Sequence, residues 1–587
     1  MHGPAHKATK KRALPPSGVL PAWEWALLIF LIGGLGLAIS WLASERSLLI
    51  NSDFFSFARR IERFGKAPWQ QTWVDGLYPI GYPYLLKWLA GPACNYLGTA
   101  RAISAASAWV VLGCTYAAAR RLGSVWLASA AVLLLGGNVH FLTFSSAEGT
   151  DLPALAFVMA GLTLATAPRQ NVWKAALAGA LLGLAYLVRY TALIALPVLL
   201  FGWLATLARP TRQTVKLWLA ACLAFALVAA PQWIASWYIT GTPLYNTQHW
   251  NVWYALEGRG AWWRIPTEAV RYPGLGAILA DLGFARFAKN LVSNLYRLVV
   301  YNQFEYTLYP IWSLGALLAL LQNPKKTWLW VGWIALFGAA VSITFLSPRI
   351  LLPLMPVIIL LSLYPLQWLE QKGYGWLGTL AWPAVFGLGS FLALFNVLFA
   401  HEYMHSTYEA AQHGLYKAFR QHGMANVGQV ASFSYNLYNP NSAQATRYDV
   451  PWLGDPTPVS SEAEVLWLMA KGRYRFAAFD WQVAADMPGF REWWAHRQLA
   501  PPLVKVFQSP EAEGYYLPDS VLGTFRPATA QDWAAFSAQY APAMAQSWVP
   551  LRNLLQEDQR PSYKTTGRVP AKVQSAWRRY KGLHRLL

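Results

Sequence analysis

The chain has 587 residues, of which 55% are hydrophobic and only 13% are charged. Soluble globular proteins carry about 25% charged residues, so the composition argues against a water-soluble enzyme. The 32 Trp, 29 Tyr and 27 Phe fit a chain solvated largely by lipid, with aromatic side chains at the membrane interfaces. The formal net charge of +21 does not indicate a nucleic-acid partner, because many basic residues form short clusters between apolar stretches, as cytoplasmic loops do.

The N-terminal region is predicted to anchor the chain in a membrane. Residues 1–20 are basic, and the apolar run from about 21 to 43 is too long for a typical signal peptide, so we interpret it as an uncleaved signal anchor with a cytoplasmic N-terminus. The three cysteines, Cys94, Cys114 and Cys222, lie in apolar segments. They encode neither a disulfide framework nor a thiolate metal site.

Residues 21–400 are expected to form an all-α polytopic transmembrane domain. If the basic clusters stay inside and each span takes about 20 residues, about eleven transmembrane helices follow, and the loops 43–78 and 239–306 lie outside. The segment GLYPIGYPYLLKWLAG (76–91) contains two prolines and Lys87, so it is interpreted as a re-entrant or interfacial helix. The expected spans are 22–42, 100–118, 122–138, 149–166, two within 175–207, 217–238, 308–322, 327–346, 349–369 and 375–399.

After residue 400 the composition changes to that of a soluble domain, which the charge bias places on the external, periplasmic side. Residues 401–530 contain the strand-like runs VGQVASFSY, YRFAAFD and LVKVFQS and the helix-like run SSEAEVLWLMAKG, so a small α/β domain is predicted. Residues 531–587 form a basic C-terminal extension. It is interpreted as a solvated tail, with contact to anionic lipid headgroups as the alternative.

Asp53 is the first candidate for chemistry. It lies in INSDFFSFARRIERFGK, about ten residues beyond the first span, and Phe54, Phe57, Ala58 and Ile61 follow at helical spacing. The pattern predicts an amphipathic helix on the external surface, with Asp53 at its start. Because Asp is a favoured helix N-cap, a capping role is the alternative to a catalytic one.

Ionisable side chains at membrane depth are costly unless paired, so each is a functional candidate. Glu148 and Asp151 lie at the outer mouth of a span, where they could also be only a capping pair. Arg189 and Arg349 are each set in apolar sequence, where a guanidinium needs an anion or must extend to the headgroups. Since guanidinium binds phosphate oxygens bidentately, two such arginines indicate a cleft for a phosphate-bearing lipid.

These residues, in this order, resemble the C-type membrane glycosyltransferases (the GT-C fold), close to the bacterial protein O-mannosyltransferase and aminoarabinose lipid A transferase branch. The similarity runs through most of residues 20–400 and, more loosely, the C-terminal α/β region. One departure is LYPIGYPYLL, where relatives often have a His-Pro-Pro-Leu-like run. The motifs that carry the resemblance are NSDFFSFARRIERFG, GLAYLVRYTALIALPVLL, TGTPLYN and SPRILLPLMPVIILL.

The resemblance implies transfer of a sugar, hexosyl or pentosyl, from a polyprenyl-phosphate donor to a lipid, glycan or protein acceptor at the periplasmic face of a bacterial inner membrane. It maps the family's catalytic aspartate onto Asp53, here assigned as general base for an inverting attack. Arg189 and Arg349, and more weakly Lys87, are assigned to the departing phosphate. Glu148 or Asp151 could orient the acceptor or a divalent metal, although no cofactor is required.

Two other classes compete. His401, Glu402 and His405 spell HEYMH, a match to the H-E-x-x-H zinc motif, so an integral-membrane zinc metalloprotease is one alternative. The motif also falls where the last span leaves the membrane, a place where polar residues are common. A lipid-glycan transporter or polymerase is the other alternative, since it would use the same basic cleft without catalysis by Asp53.

Overall fold

The computed structural model describes most of the helical region and part of the C-terminal region. The described residues are 21–45, 53–54, 57, 60–61, 64–65, 73–74, 76–93, 95–206, 212–257, 271–301, 311–372, 374–404, 407–425, 430–432, 469, 474–480, 503–509 and 512–520. The predicted basic segments 1–20 and 531–587 therefore lie outside the described residues.

The described chain is predominantly helical, and a helix is present at every position where a span was predicted. The helices are α1 (Ala22–Glu45), α2 (Gly81–Ala90), α3 (Tyr96–Leu122), α4 (Val125–Gly136), α5 (Val139–Ser145), α6 (Asp151–Ala165), α7 (Val172–Val188), α8 (Ala195–Thr206), α9 (Arg212–Thr240), α10 (His249–Glu257), α11 (Leu275–Leu282), α12 (Phe284–Tyr296), α13 (Ile311–Gln322), α14 (Pro324–Ser342), α15 (Pro348–Leu351), α16 (Met355–Gln371), α17 (Gly375–Met404) and α18 (Thr407–Gln421).

The length and apolarity of these helices make the chain a multi-pass membrane protein. Within the described residues, five segments are long and apolar enough to cross a bilayer: α1, α3, α9, the continuous α15–α16 stretch and most of α17. The bent pair α4 and α5 could form a sixth. The helices α6 and α7 are apolar but shorter, at 15 and 17 residues. The count of eleven crossings stays a prediction.

The predicted span 122–138 is broken rather than straight. Its two parts, α4 and α5, meet at an angle of 67°, and Asn138 between them caps α5 by accepting hydrogen bonds from the backbone N–H of His140 (2.9 Å) and Phe141 (3.1 Å). Asn396 of α17 donates to the carbonyl of Gly137 (2.6 Å). Because backbone groups freed inside a membrane must find partners within the protein, these two asparagines make the break tolerable.

The core of the bundle is built by close helix pairs, among which α7 and α9 pack along most of their length. Gly179 and Gly183 of α7 form a G-x-x-x-G pattern on the contact face. A Cβ at Gly179 would come within 2.0 Å of the carbonyl oxygen of Ala221 in α9. The absence of side chains therefore lets the two backbones approach, as small residues do in membrane helix pairs.

The C-terminal region contains a four-stranded sheet, as the α/β prediction required. The order is β1–β2–β4–β3, with β1 parallel to β2 and both other pairings antiparallel. The helix α18 packs on the sheet through Leu415 and Phe419. The first three strands fall inside the three predicted runs, β4 was not predicted, and of the predicted helix 460–472 only Met469 is described. The strands are β1 (Val430–Ser432), β2 (Phe476–Asp480), β3 (Val504–Gln508) and β4 (Ala512–Tyr516).

Candidate active site

Four charged residues from distant parts of the sequence meet at one end of the helix bundle. The Arg349 guanidinium contacts both carboxylates, with Nη2 2.5 Å from Asp53 Oδ2 and Nε 2.7 Å from Asp151 Oδ2. Arg189 forms a second ion pair with Asp151. We call Asp53, Asp151, Arg189 and Arg349 the carboxylate–arginine cluster. All four were predicted site residues.

Each member of the cluster lies where a helix begins or ends. Asp151 is the first residue of α6. Arg189 follows α7 in an extended conformation (φ −153°, ψ 123°) and precedes a 3-10 turn, Tyr190–Ile194. Arg349 lies in the first turn of α15, whose N-terminus is capped by Ser347 Oγ, 3.3 Å from the backbone nitrogen of Ile350. These turns bring the charged side chains together at one end of the bundle.

Asp53 begins a helical segment, as predicted. The backbone nitrogen of Phe57 donates to the Asp53 carbonyl (3.4 Å), and Phe54, Phe57 and Ile61 are buried against α2 and α3. Ala58 lies outside the described residues. The buried apolar face fixes the segment on the bundle, so that the Asp53 carboxylate points to Arg349.

The surroundings of Asp53 keep its carboxylate ionised. Burial raises the pKa of Asp53, but the positive charge of Arg349, hydrogen bonds from Tyr78 and Arg349, and the charge of Arg189 together outweigh burial, so the net pKa lies below the ordinary aspartate value. Burial and the negative charge of Asp53 raise the pKa of Tyr78 well above its usual range. Tyr78 is therefore a neutral phenol that donates to Asp53.

The cluster borders a cleft between α6 and α14. Asp151, Arg189 and Arg349 form the charged part of its lining, beside Thr191. The rest of the lining is apolar, so the cleft combines fixed cations with a surface suited to hydrocarbon. The apolar lining residues are Ala154, Leu155, Val158, Ala192, Trp333, Phe337, Val341, Ile350 and Pro353.

Two other predicted site residues lie outside the cluster. Glu148 is buried and pairs with Arg101 of α3 at 3.4 Å (Oε2 to Nε), while the backbone nitrogen of Gly149 donates to the Tyr82 hydroxyl at 3.2 Å. Lys87 is exposed on α2, and its Nζ lies 5.1 Å from the ring centroid of Phe64. The structure thus brings Asp53, Asp151, Arg189 and Arg349 together, whereas Glu148 and Lys87 contact other partners.

The first four HEYMH residues, 401–404, form the end of α17. The His401 ring stacks on the indole of Trp41 in α1, with centroids 4.7 Å apart. The Glu402 side chain and His405 lie outside the described residues. Within the residues that were described, no group of three or more His, Cys, Asp or Glu is arranged to hold a metal ion. The stacking supports the interpretation of His401 as an interfacial residue.

Three residues near the cluster were not predicted from the sequence: Arg60, Tyr78 and Arg101. Arg101 and Arg60 are both buried, at 8% and 7% exposure. Arg101 stands in the apolar run of α3, so the argument that singled out Arg189, that an ionisable residue in apolar sequence needs a partner, would have found it. Tyr78 had no such signal, because tyrosine is common at membrane interfaces.

The helical bundle has the GT-C fold of membrane glycosyltransferases. Residues 79–234 match the family model described as dolichyl-phosphate-mannose-protein mannosyltransferase, a stretch that contains Asp151 and Arg189. The resemblance predicted from the sequence, to the mannosyltransferase and lipid A transferase branch, is confirmed.

Solved structures of two other proteins are similar to this chain to different degrees. ArnT from Cupriavidus metallidurans bound to undecaprenyl phosphate superposes with a TM-score of 0.50 at 13% identity, covering 84% of this chain and 98% of ArnT. Its apo form gives 0.50 at 14% identity, covering 85% and 99%. The archaeal oligosaccharyltransferase AglB from Archaeoglobus fulgidus gives 0.47 at 13%, covering 80% and 71%. No curated protein sequence matches the chain.

Proposed function

We propose that the chain is a glycosyltransferase that moves a sugar from a polyprenyl-phosphate-linked donor to an acceptor hydroxyl, with the carboxylate–arginine cluster as its active centre. The observation that carries the proposal is the convergence of Asp53, Arg189 and Arg349 beside a cleft with an apolar wall. The family match over residues 79–234 and the fold shared with ArnT, whose structure holds undecaprenyl phosphate, support the same class of donor.

Asp53 is the proposed general base. The acceptor oxygen attacks the anomeric carbon of the donor sugar and loses its proton to the Asp53 carboxylate, while the bond from that carbon to the phosphate oxygen breaks. Polyprenyl phosphate leaves with the bonding electrons, and attack from the opposite side inverts the anomeric configuration. A carboxylate that stays ionised is in the state a base requires, and the contact with Arg349 holds it in place.

Arg349 and Arg189 are the proposed ligands of the leaving phosphate. In the structure both guanidinium groups are paired with Asp151, so the cluster holds two positive and two negative charges. A donor phosphate entering the cleft would share these cations with Asp151, and the charge that develops on it as the sugar departs would strengthen its contacts with them. Fixed cations that gain interaction in the transition state accelerate the reaction.

These residues do not determine which acceptor receives the sugar. The buried Glu148, held by Arg101, and Asp151 are the proposed groups that orient it, and a lipid, a glycan or a protein hydroxyl satisfies the chemistry. A divalent metal near these carboxylates is part of the proposal only as an option. We place the reaction at the periplasmic face of a bacterial inner membrane, because Arg120 and Arg121 lie at the other end of the helices.

Native mass spectrometry with added undecaprenyl phosphate tests the proposal. Wild type and the Asp53→Asn variant should both bind one lipid phosphate, because Asp53 is assigned to the proton and not to the phosphate. Arg349→Gln should bind it at least tenfold more weakly. The matched control is Arg271→Gln. Arg271 pairs with Asp281 of α11 (2.9 Å), both side chains are exposed, and the change should have no effect on lipid binding. Equal binding by wild type and R349Q would contradict the assignment.

Turnover separates this proposal from the alternatives. Loss of sugar transfer with retained lipid binding in D53N is expected of a transferase. Lipid binding without turnover in wild type would favour a transporter. Stoichiometric zinc that is lost on mutating His401, without a bound lipid, would favour the metalloprotease.

A further inference from the structure

The segment that carries Tyr78 is held by the side chain of Arg60. Arg60 Nη1 donates to the carbonyl oxygens of Tyr78 (2.8 Å) and Pro79 (3.2 Å), and Nη2 donates to the carbonyl of Trp73 (2.9 Å). The Arg60 residue is only 7% exposed. A guanidinium carries five N–H donors in a rigid planar fork, so one side chain fixes both ends of the 73–79 segment at once.

Other elements hold the same stretch of backbone. The Ile80 nitrogen donates to Gln232 Oε1 of α9 (3.0 Å), and Gln248 Nε2 donates to the Leu77 carbonyl (2.9 Å). The Thr247 nitrogen donates to the Gly76 carbonyl (2.8 Å). The backbone from 76 to 80 is therefore fixed by partners from three separate parts of the chain, which is more than an exposed connection requires.

The consequence of this ordering is the position of the Tyr78 hydroxyl, which donates a hydrogen bond to the Asp53 carboxylate. Phe54, Phe57 and Arg60 are helical, and Asp53 is seven residues before Arg60. In a helix that spacing, about two turns, places two residues on the same face. The carboxylate and the arginine that holds the Tyr78 backbone thus come from neighbouring positions of the chain.

We propose that Arg60 and Tyr78 are positioning residues for Asp53: Arg60 fixes the 73–79 backbone so that the Tyr78 hydroxyl holds the Asp53 carboxylate in its reactive orientation. The proposal deepens the glycosyltransferase function proposed above and rests on it for the role of Asp53. Arg349 Nη2 binds Oδ2 from one side, and the Tyr78 phenol restrains rotation of the carboxylate.

The pH at which Asp53 titrates shows whether the Tyr78 hydroxyl donates its hydrogen bond to the Asp53 carboxylate. The charged and titratable groups that face Asp53 are Tyr78 from the loop, Arg349 from α15 and Arg189 after α7, with Asp151 of α6 behind both arginines. Since a hydrogen bond to the charged form favours ionisation, losing the phenol must move the titration of Asp53 to higher pH. A residue with a purely structural role would leave that titration unchanged.

The experiment labels Asp53 in the full-length purified protein with a water-soluble carbodiimide and glycine ethyl ester, and follows the labelled peptide against pH by mass spectrometry. Tyr78→Phe and Arg60→Gln should both shift the labelling midpoint upward, and the double variant should shift it no further than Y78F alone. Tyr84→Phe is the matched control. Its hydroxyl accepts from the Trp73 indole (3.0 Å) on the exposed side of the same region, so its midpoint should equal that of wild type.

Three results would overturn the proposal. They are a labelling midpoint in R60Q equal to that of wild type, additive midpoint shifts in the double variant, or a midpoint shift in Y84F as large as that in Y78F. Because R60Q loses three hydrogen bonds and could prevent folding, Arg60→Lys is a second variant. The lysine ammonium cannot make all the hydrogen bonds of the planar guanidinium, so we expect an upward shift of the labelling midpoint that is smaller than in R60Q. An unshifted midpoint would count against the proposal.

Sugar transfer is measured separately. Y78F should lose roughly tenfold in turnover, the size expected when one hydrogen bond to a charged group is removed. If wild type transfers no sugar while the midpoints shift as expected, the proposed function fails and the positioning of Asp53 stands. If wild type transfers sugar and the midpoints do not shift, only the positioning proposal fails.

Discussion

Arg349 is the residue that joins the two carboxylates of the cluster, because its Nε and Nη2 atoms contact Asp151 and Asp53 respectively. The side chains of Arg349 and Asp53 are each about a quarter exposed (25% and 24%), whereas Asp151 is 8% exposed. Partial burial makes these contacts stronger than surface ion pairs, since the local dielectric is lower. The contacts are also open enough for a ligand to compete for them.

Removing the charge of Asp151 should show that Asp151 and a lipid phosphate compete for the same arginines. Asp151→Asn leaves Arg189 and Arg349 without their shared carboxylate, so the ligand-free protein should unfold at a lower temperature, a loss of about 1–3 kcal/mol. Added undecaprenyl phosphate should raise the Tm of D151N more than that of wild type, because the freed guanidinium groups bind its phosphate. Thermal unfolding followed by intrinsic tryptophan fluorescence measures both effects.

Glu148→Gln is the control for that experiment. It breaks a comparable buried pair with Arg101 (3.4 Å), so it should also lower the Tm. Since Arg101 does not line the cleft within the described residues, lipid phosphate should stabilise E148Q no more than wild type. Equal lipid stabilisation of D151N and wild type would mean that the cluster does not bind the phosphate.

The pH dependence follows from the sign of the Asp53 pKa shift. Because its pKa is lowered, pairing with Arg349 contributes stability that is fully present above the unfolded-state pKa, about 3.9, and is lost as pH falls through the lower folded-state pKa. Asp53 should therefore remain a competent base from pH 5 upward. The kcat profile should show no acid limb from Asp53 above pH 5 in wild type, whereas in R349Q the limb should move to higher pH.

The residues of the cluster could be predicted individually, but their pairing could not. Asp53, Asp151, Arg189 and Arg349 each stood out as ionisable residues in or beside apolar sequence. The contact between Arg349 and Asp151 joins residues 198 positions apart, and no local pattern encodes such a separation. Arg60 holds Tyr78 through backbone carbonyls, which have no signature in the identity of the residues that carry them.

At the scale of elements, the pair α7 and α9 positions both Arg189 and Gln232. Arg189 directly follows α7, and Gln232 of α9 lies 3.4 Å from the Tyr190 hydroxyl and 3.0 Å from the Ile80 nitrogen. The close approach of the two helices at Gly179 is therefore part of what supports the cluster.

Gly179→Ala should destabilise the protein. The added Cβ would meet the Ala221 carbonyl oxygen at 2.0 Å, so the two helices must move apart, at a cost of about 1–3 kcal/mol for overpacking. Gly332→Ala in α14 is the matched control, because a Cβ there meets nothing within 4 Å. Its Tm should be unchanged or slightly higher, since alanine favours helix. A Tm of G179A equal to that of G332A would contradict the packing account.

Element positions were more predictable than element shapes. Long apolar runs between basic clusters placed the helices, because burial in lipid leaves few alternatives to a helix. The break between α4 and α5 depended on Asn396, 258 residues beyond Asn138, and was not visible locally. The strand β4 was missed because its sequence, AEGYY, contains a glycine and a glutamate; tertiary contacts bury Glu513 completely beside Tyr515.

At the scale of the whole molecule, the two ends of the bundle differ in charge. The cluster lies where α6 begins and α7 ends. At the opposite end Arg120 pairs with Glu24 (2.6 Å), and Arg121 donates to Thr166 Oγ1 (2.9 Å) at the turn between α6 and α7. By the positive-inside rule, we propose that the arginine-rich end faces the cytoplasm.

This orientation predicts cysteine accessibility. In a variant lacking Cys94, Cys114 and Cys222, a cysteine at the exposed position Thr242 should react with a membrane-impermeant maleimide in cells whose outer membrane alone is permeabilised. A cysteine at the exposed position Arg169 should react only after lysis. Labelling of Arg169→Cys in unlysed cells would reverse the topology and place the cluster in the cytoplasm.

Turnover of a polyprenyl-phosphate sugar is the most direct test of the proposed glycosyltransferase function and of the role of Asp53. Purified wild type and D53N are incubated with a panel of undecaprenyl-phosphate sugars and a bacterial membrane extract as acceptor source, and release of undecaprenyl phosphate is followed by mass spectrometry. Wild type should release it from at least one donor, and D53N should lose about 10²–10⁴-fold of that rate while still binding the lipid. Equal release by D53N and wild type, or no release from any donor by a wild-type protein that binds undecaprenyl phosphate, would contradict the proposal.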